Sequence, residues 1–223
     1  MVVQKDLTVA SGGMINANGT GYKGGGAYMN ASGFGPGGGK VNLVNVASGG
    51  GGYGGRGGAE SNSAVAGGLT YGSSNTPPFQ PGSGGASYSG GEGGWGGGLV
   101  WIEALSGNLT VDGSIQAIGV PEIGHGMAGN GSGGCIYIRC KRLFGAGSLS
   151  ANGGMSSSGG TDRGGVGGGG RIAVWRVNTN TLSATVDYGY SIGGSPLIST
   201  NGASAGTIYW GATPESGTIL MIY

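Results

Sequence analysis

Residues 133–140 read GGCIYIRC, two glycines opening onto a run in which Ile136 and Ile138 alternate with Tyr137 and Arg139. The same event recurs as GGLVWIEA from Gly97, GGRIAVWRV from Gly169 and AGTIYWG from Ala205. Set in register, the four segments form columns without gaps. Leu99, Cys135, Arg171 and Thr207 recur every 36 residues, and Val100, Ile136, Ile172 and Ile208 follow them. Two positions on stand Ile102, Ile138, Val174 and Trp210. Between these columns lies a mostly aromatic one, Trp101, Tyr137, Ala173 and Tyr209. Period-two alternation with branched residues on one face is the mark of a half-buried strand.

A second element follows the first two strands, as LTVDGSIQAIG (109–119) and LFGAGSLSANG (143–153). LTVASGGMINANG (7–19) is close kin with one residue more, and TLSATVDYGYSIGG (181–194) is a looser version. KVNLVNV (40–46) is a further strand candidate, out of phase with the 36-residue period. One such unit cannot bury its apolar stripe alone, whereas stacked units pair each strand with its equivalents about 4.8 Å above and below. The expected fold is therefore all-β. It is a parallel β-helix, a solenoid of 36-residue period with glycine-rich polyproline-II-like return segments, in one domain over 1–223 with an enlarged glycine-rich excursion at 47–98. A β-sandwich of hairpins competes, but should show two-residue turns and no such period.

Glycine supplies 61 of 223 residues, and the runs are patterned. GGYGGRGGAE (51–60), GGEGGWGGG (90–98) and DRGGVGGGG (162–170) hold successive X-Gly-Gly triplets. A three-residue period suits a polyproline-II-like chain, with its three residues per turn. Two glycine faces let backbones approach closely, and the third displays Tyr53, Arg56, Glu92, Trp95 or Val166. These triplets resemble the glycine tracts of adhesins at phage tail-fibre tips, where layered polyproline-II helices carry variable recognition loops. The series GGCIYIRC, GSLSANGG and GGVGGGGRIAVW resembles glycine-rich β-strand-repeat proteins of microbial surfaces over about residues 97–177. Neither resemblance supplies a catalytic residue.

Composition narrows the functional classes. A net charge of +1 gives no electrostatic reason to bind nucleic acid or an anionic membrane. No apolar run approaches the ~20 residues that span a bilayer. The first residues, MVVQKDLTVASGG, lack the apolar core of a secretory signal. An extracellular location then requires a leader removed earlier, or release by a route such as lysis. Cys135 and Cys140 lie roughly 17 Å apart along one strand at ~3.3 Å per residue, too far for a mutual disulfide, and read as structural thiols.

Catalytic and metal-ligating constellations are absent from the sequence pattern. His125, in IGHGMAGNG, has no cysteine or carboxylate cluster beside it, so no metal site is expected. Glu103 and Arg139 fall opposite each other in register and read as a cross-strand ion pair. The chain is expected to be no enzyme and to need no cofactor.

The aromatics carry the remaining expectations. Trp101, Tyr137 and Tyr209 face away from the branched columns, where they are covered by glycine-rich returns or exposed to stack on sugar rings or another subunit. Tyr53 and Trp95, displayed on glycine triplets, are the better candidates for outside contacts. The C-terminal GTILMIY is an apolar edge, so Leu220 and Ile222 are expected to pair with the first strand region, around Val3, of a neighbouring copy. The sequence thus points to a non-enzymatic structural and adhesive protein, extracellular or on a cell or virion surface, that stacks end to end into fibres. The alternative is a discrete tip adhesin that binds a cell-surface glycan or receptor, and a polysaccharide-cleaving enzyme stands third.

Overall fold

The computed structural model describes residues 1–41, 47–59, 65–73, 79–155, 164–187, 189 and 202–213. All the regular elements among them are strands: β1 (Leu7–Val9), β2 (Met14–Asn16), β3 (Leu99–Val111), β4 (Ser114–Gln116), β5 (Cys135–Phe144), β6 (Ser148–Ser150), β7 (Arg171–Arg176), β8 (Ser183–Thr185) and β9 (Thr207–Ala212). They form two parallel sheets, a larger one ordered β1-β3-β5-β7-β9 and a smaller one ordered β2-β4-β6-β8. In the larger sheet Leu99 pairs with Cys135, Cys135 with Arg171 and Arg171 with Thr207. The branched columns follow in the same register. Val100, Ile136 and Ile172 are buried, whereas Ile208, on β9, the outermost described strand, is 39 % exposed.

One apolar core lies between the sheets. Ile102, Ile136, Ile138, Leu109, Leu143 and Val174 enter it from the larger sheet, and Ile115 and Leu149 from the smaller. All-parallel sheets need cover on both faces, and Cys135–Ile138 and Arg171–Val174 are indeed buried throughout. In most parallel sheets helices make the crossovers and supply that cover. Here the described crossovers are glycine-rich chain.

That chain has its own order. Gly131 N–H donates to the Val120 carbonyl, Ser132 to Ser83, Gly133 to Gly168 and Gly134 to Ala117. Successive amides thus reach three different neighbours, and the fourth returns to the first. Three residues per turn produce that pattern. The same three-residue step runs from Gly94 and Gly97 to Gly129 and Ser132, and from Gly165 and Gly168 to Ser48 and Gly51. Segment 127–134 is surrounded by residues 48–51, 83–86, 94–97, 117–120, 154 and 165–168. Buried Ser48, Ser83, Ser132 and Asn130 bond into this lattice, so their polar atoms are satisfied.

This lattice overturns the expected β-helix. A single winding would hold each return segment against its own equivalents one coil away, all in one direction. Segment 131–134 instead runs antiparallel to 117–120 and parallel to 165–168. The longer segment 127–134 also bonds to residues 48–51 and 83–86, which have no place in the 36-residue period. The chain is two separate parallel sheets joined through a three-dimensional glycine bundle. The strand candidate at 40–46 lies almost wholly outside the described residues.

Candidate functional site

Two groups of side chains stand apart from the core. The first is on the outer face of the larger sheet. Strand alternation turns Trp101, Tyr137 and Tyr209 away from the apolar core. The Trp101 and Tyr137 rings lie 4.2 Å apart, and Phe79 stacks on Trp101 at 5.1 Å with an interplanar angle of 18°. Trp175 and Tyr209 form a further pair at 5.1 Å.

A strap, described over residues 71–73 and 79–81 and tied by the Tyr71 hydroxyl donating to the Pro81 carbonyl, lies against part of this face. Buried Arg171 fastens it, donating from Nε and Nη2 to the Tyr71 carbonyl (3.2 and 2.7 Å) and from Nη1 to Thr207 Oγ1 (3.0 Å). The guanidinium also lies over the Tyr53 ring at 5.3 Å, beside the Cys135 thiol. Tyr53, expected to be displayed outward on its glycine triplet, is therefore fully buried, and it packs with Cys135, Tyr137 and Ala173. Tyr137 is buried as well. For Tyr53 this corrects the expected outward display, and for Tyr137 it sets aside the exposed alternative as a surface contact. The physical reason is that this part of a parallel sheet needs an outer cover, and the strap with Tyr53 and Tyr71 provides it.

Burial pushes the Tyr53 and Tyr71 phenols far above their usual range, the Cys135 thiol up to about 12 and the Cys140 thiol to about 11. None of these groups supplies a nucleophile at neutral pH. The folded protein keeps thiol protons that the unfolded chain releases above about 8.5, so stability is intact below that pH and falls as pH rises towards about 12. Native protein should resist a thiol reagent that labels both cysteines in denaturant. Cys135→Ala should flatten the alkaline fall in melting temperature, and an unchanged slope would exclude this origin.

The second group is a cluster of turns, 26–31, 88–91 and 121–127, at the margin of the glycine bundle. Tyr28 N–H donates to the Ser89 carbonyl at 2.9 Å, and Ser89 N–H to Asn30 Oδ1 at 3.2 Å. Glu92 and Ile123 exchange backbone bonds of 2.9 and 3.0 Å, and the Tyr88 and His125 rings meet at 5.0 Å. Tyr28, Asn30 and Ser89 have φ of 63°, 42° and 45°, the three non-glycines in the left-handed region among the described residues. Each such conformation costs of order 1–2 kcal/mol. Tyr28 is nonetheless 86 % exposed. Trp95 lies beside the cluster and is partly buried. Its indole N–H donates to Glu92 Oε1 at 2.6 Å, and Lys23 Nζ sits 5.4 Å from its ring.

Of the aromatics expected at the surface, Trp95, Trp101 and Tyr209 keep partial exposure, while Tyr53 and Tyr137 do not. Val3 is engaged within its own chain, its N–H donating to the Glu103 carbonyl at 2.7 Å. Leu220 and Ile222 lie outside the described residues. Glu103 and Arg139 are paired in backbone register, yet among the described residues no ion pair within 4.0 Å joins them. Both charges act on the Tyr137 phenol, whose pKa burial raises first, Arg139 lowers and Glu103 raises.

Sequence reasoning missed Phe79, Arg171 and the three left-handed residues. Pro-Pro-Phe-Gln-Pro at 77–81 signals a stiff segment, but nothing in it says that Phe79 meets Trp101. Among the described residues no helix is long and apolar enough to cross a membrane. Comparison with known proteins finds no matching family model, no matching curated relative and no matching solved structure.

Proposed function

We propose that the chain is a non-enzymatic adhesive module, working outside the cell or on a cell or virion surface, with the cluster of turns as its contact for a receptor. One observation carries this reading. Three non-glycine residues are held in an unfavourable backbone conformation at one place, on turns anchored to a hydrogen-bonded bundle. Strain of that kind persists where the surroundings over-determine it, and it gathers at binding sites. A turn held in its bound shape loses less entropy on association. The contact residues Tyr28, Asn30, Tyr88, Ser89 and Gly90 are of the types that dominate antibody paratopes: rigid aromatics among small, adaptable polar groups.

Labelled protein should stain some members of a panel of bacterial and eukaryotic cells in flow cytometry. Tyr28→Ala should weaken staining roughly 30-fold, the scale of an aromatic hot spot, without changing the circular dichroism spectrum. Electron microscopy of the same preparation addresses the fibre reading, in which Leu220 and Ile222 pair with the region around Val3 of a neighbouring copy. Discrete particles with cell staining support the tip. Long filaments without staining, or staining indifferent to Tyr28→Ala, would overturn it.

A further inference from the structure

The outer face of the larger sheet carries a second contact surface, independent of the turns. Its centre is apolar: Phe79 is 68 % exposed and lies flat on Trp101, and Leu99 stands next to Trp101 on the same face, also exposed. Its border is charged. Glu103 and Arg139 occupy the next outward positions of β3 and β5, about 6.6 Å along each strand. Glu103 is partly exposed and Arg139 exposed, and each is near enough to act on the Tyr137 phenol. The surface thus sets a stacked aromatic pair beside one carboxylate acceptor and one guanidinium donor that are not spent on each other.

We propose that this surface binds a polysaccharide, with a pyranose ring lying against Phe79 and Trp101 and its hydroxyls bonded by Glu103 and Arg139. A pyranose presents an apolar C–H face inside a rim of hydroxyls that both donate and accept. Aromatic rings match the face. A carboxylate accepts from hydroxyls and a guanidinium donates to them, so the mixed pair suits a neutral polyol. Other occupants match less well. A peptide strand would need a free sheet edge, but β5 lies between β3 and β7, and residues 1–3 already bond to the outer side of β3 at Trp101 and Glu103. A nucleic acid would need a basic groove, and the chain carries a net charge of +1. No bond is made or broken in this proposal.

The test titrates the intact chain with cellohexaose, xylohexaose, mannohexaose and N-acetylchitohexaose, following tryptophan fluorescence and calorimetry. A single-stranded oligothymidylate serves as the alternative stacking ligand. At least one hexasaccharide is expected to bind, with Phe79→Ala weakening it about tenfold, the loss of one stacking contact. Glu103→Gln should weaken it several-fold, and salt should have little effect. Phe79 is exposed, so Phe79→Ala should retain the wild-type melting temperature, and Trp101→Phe provides a second reading of the stack should it not. Tyr28→Ala should bind the sugar unchanged, so failure of the adhesive tip and failure of the sugar site are separable. Three outcomes would overturn the assignment: no hexasaccharide binding, binding indifferent to both Phe79→Ala and Trp101→Phe, or preferential, salt-sensitive binding of the oligothymidylate.

Discussion

Ile136→Asp is expected to remove most of the stability of the folded chain at neutral pH. Ile136 is fully buried and stands between Val100 and Ile172 on the central strand of the larger sheet. Truncating a buried isoleucine costs about 2–5 kcal/mol in lost apolar burial and packing. A carboxylate in the same place has no partner and must take up a proton to remain buried. Between the ordinary aspartate pKa of ~3.9 and pH 7, that adds about 4 kcal/mol. The sum rivals the ~5–15 kcal/mol that holds a whole domain together.

The sign with pH gives an internal check. The buried acid has a raised folded pKa, so the folded variant binds the proton and the unfolded one releases it. The electrostatic part of the loss should therefore disappear as pH falls to about 4, while the packing part stays. Ile136→Val should cost only ~1 kcal/mol at either pH. Urea unfolding followed by circular dichroism reads all three variants. A neutral-pH loss for Ile136→Asp no larger than that of Ile136→Val would falsify the buried column.

Gly133→Ala should be nearly as damaging, although it adds one methyl group. A Cβ at Gly133 would lie 1.9 Å from the Ala151 carbonyl oxygen and 2.6 Å from Gly170 N, both backbone atoms of neighbouring segments. Neither can rotate away, as a side chain would. The shift would pass into the hydrogen bond from Gly133 N–H to the Gly168 carbonyl and into those from Gly134 and Gly170 beside it. Overpacking in a well-filled core costs ~1–3 kcal/mol and occasionally more, and a clash with backbone on two sides belongs at the top of that range. Gly26→Ala is the control, because its nearest neighbour is the flexible Met29 side chain at 3.3 Å. It should be neutral, or slightly stabilising through a less flexible unfolded state. Melting temperatures that fall equally for the two variants would refute the close-packed bundle.

The strands and their register were legible in the sequence. A branched residue at Val100, Ile136 and Ile172 can be buried only if the alternation is kept, and equal spacing of the glycine-to-strand transitions sets Leu99 against Cys135 and Arg171. Those choices are local: one residue of slip would turn the whole apolar set outward. The burial of Tyr53, the position of Phe79 on Trp101 and the meeting of Tyr28, Ser89 and His125 were not legible. All three depend on which glycine segment lies beside which. A glycine offers the same amide, the same carbonyl and no side chain at every position, so its partner is not encoded where it stands. With three residues per turn, successive amides of one segment point to different neighbours. The number and direction of those neighbours are then settled by how the connections and the two sheets pack. Sequence by itself determined the strands, their facing and the three-residue period of the glycine runs. Tertiary packing alone decided which segments surround 127–134, and with them which aromatic side chains were covered and which were left to meet a partner.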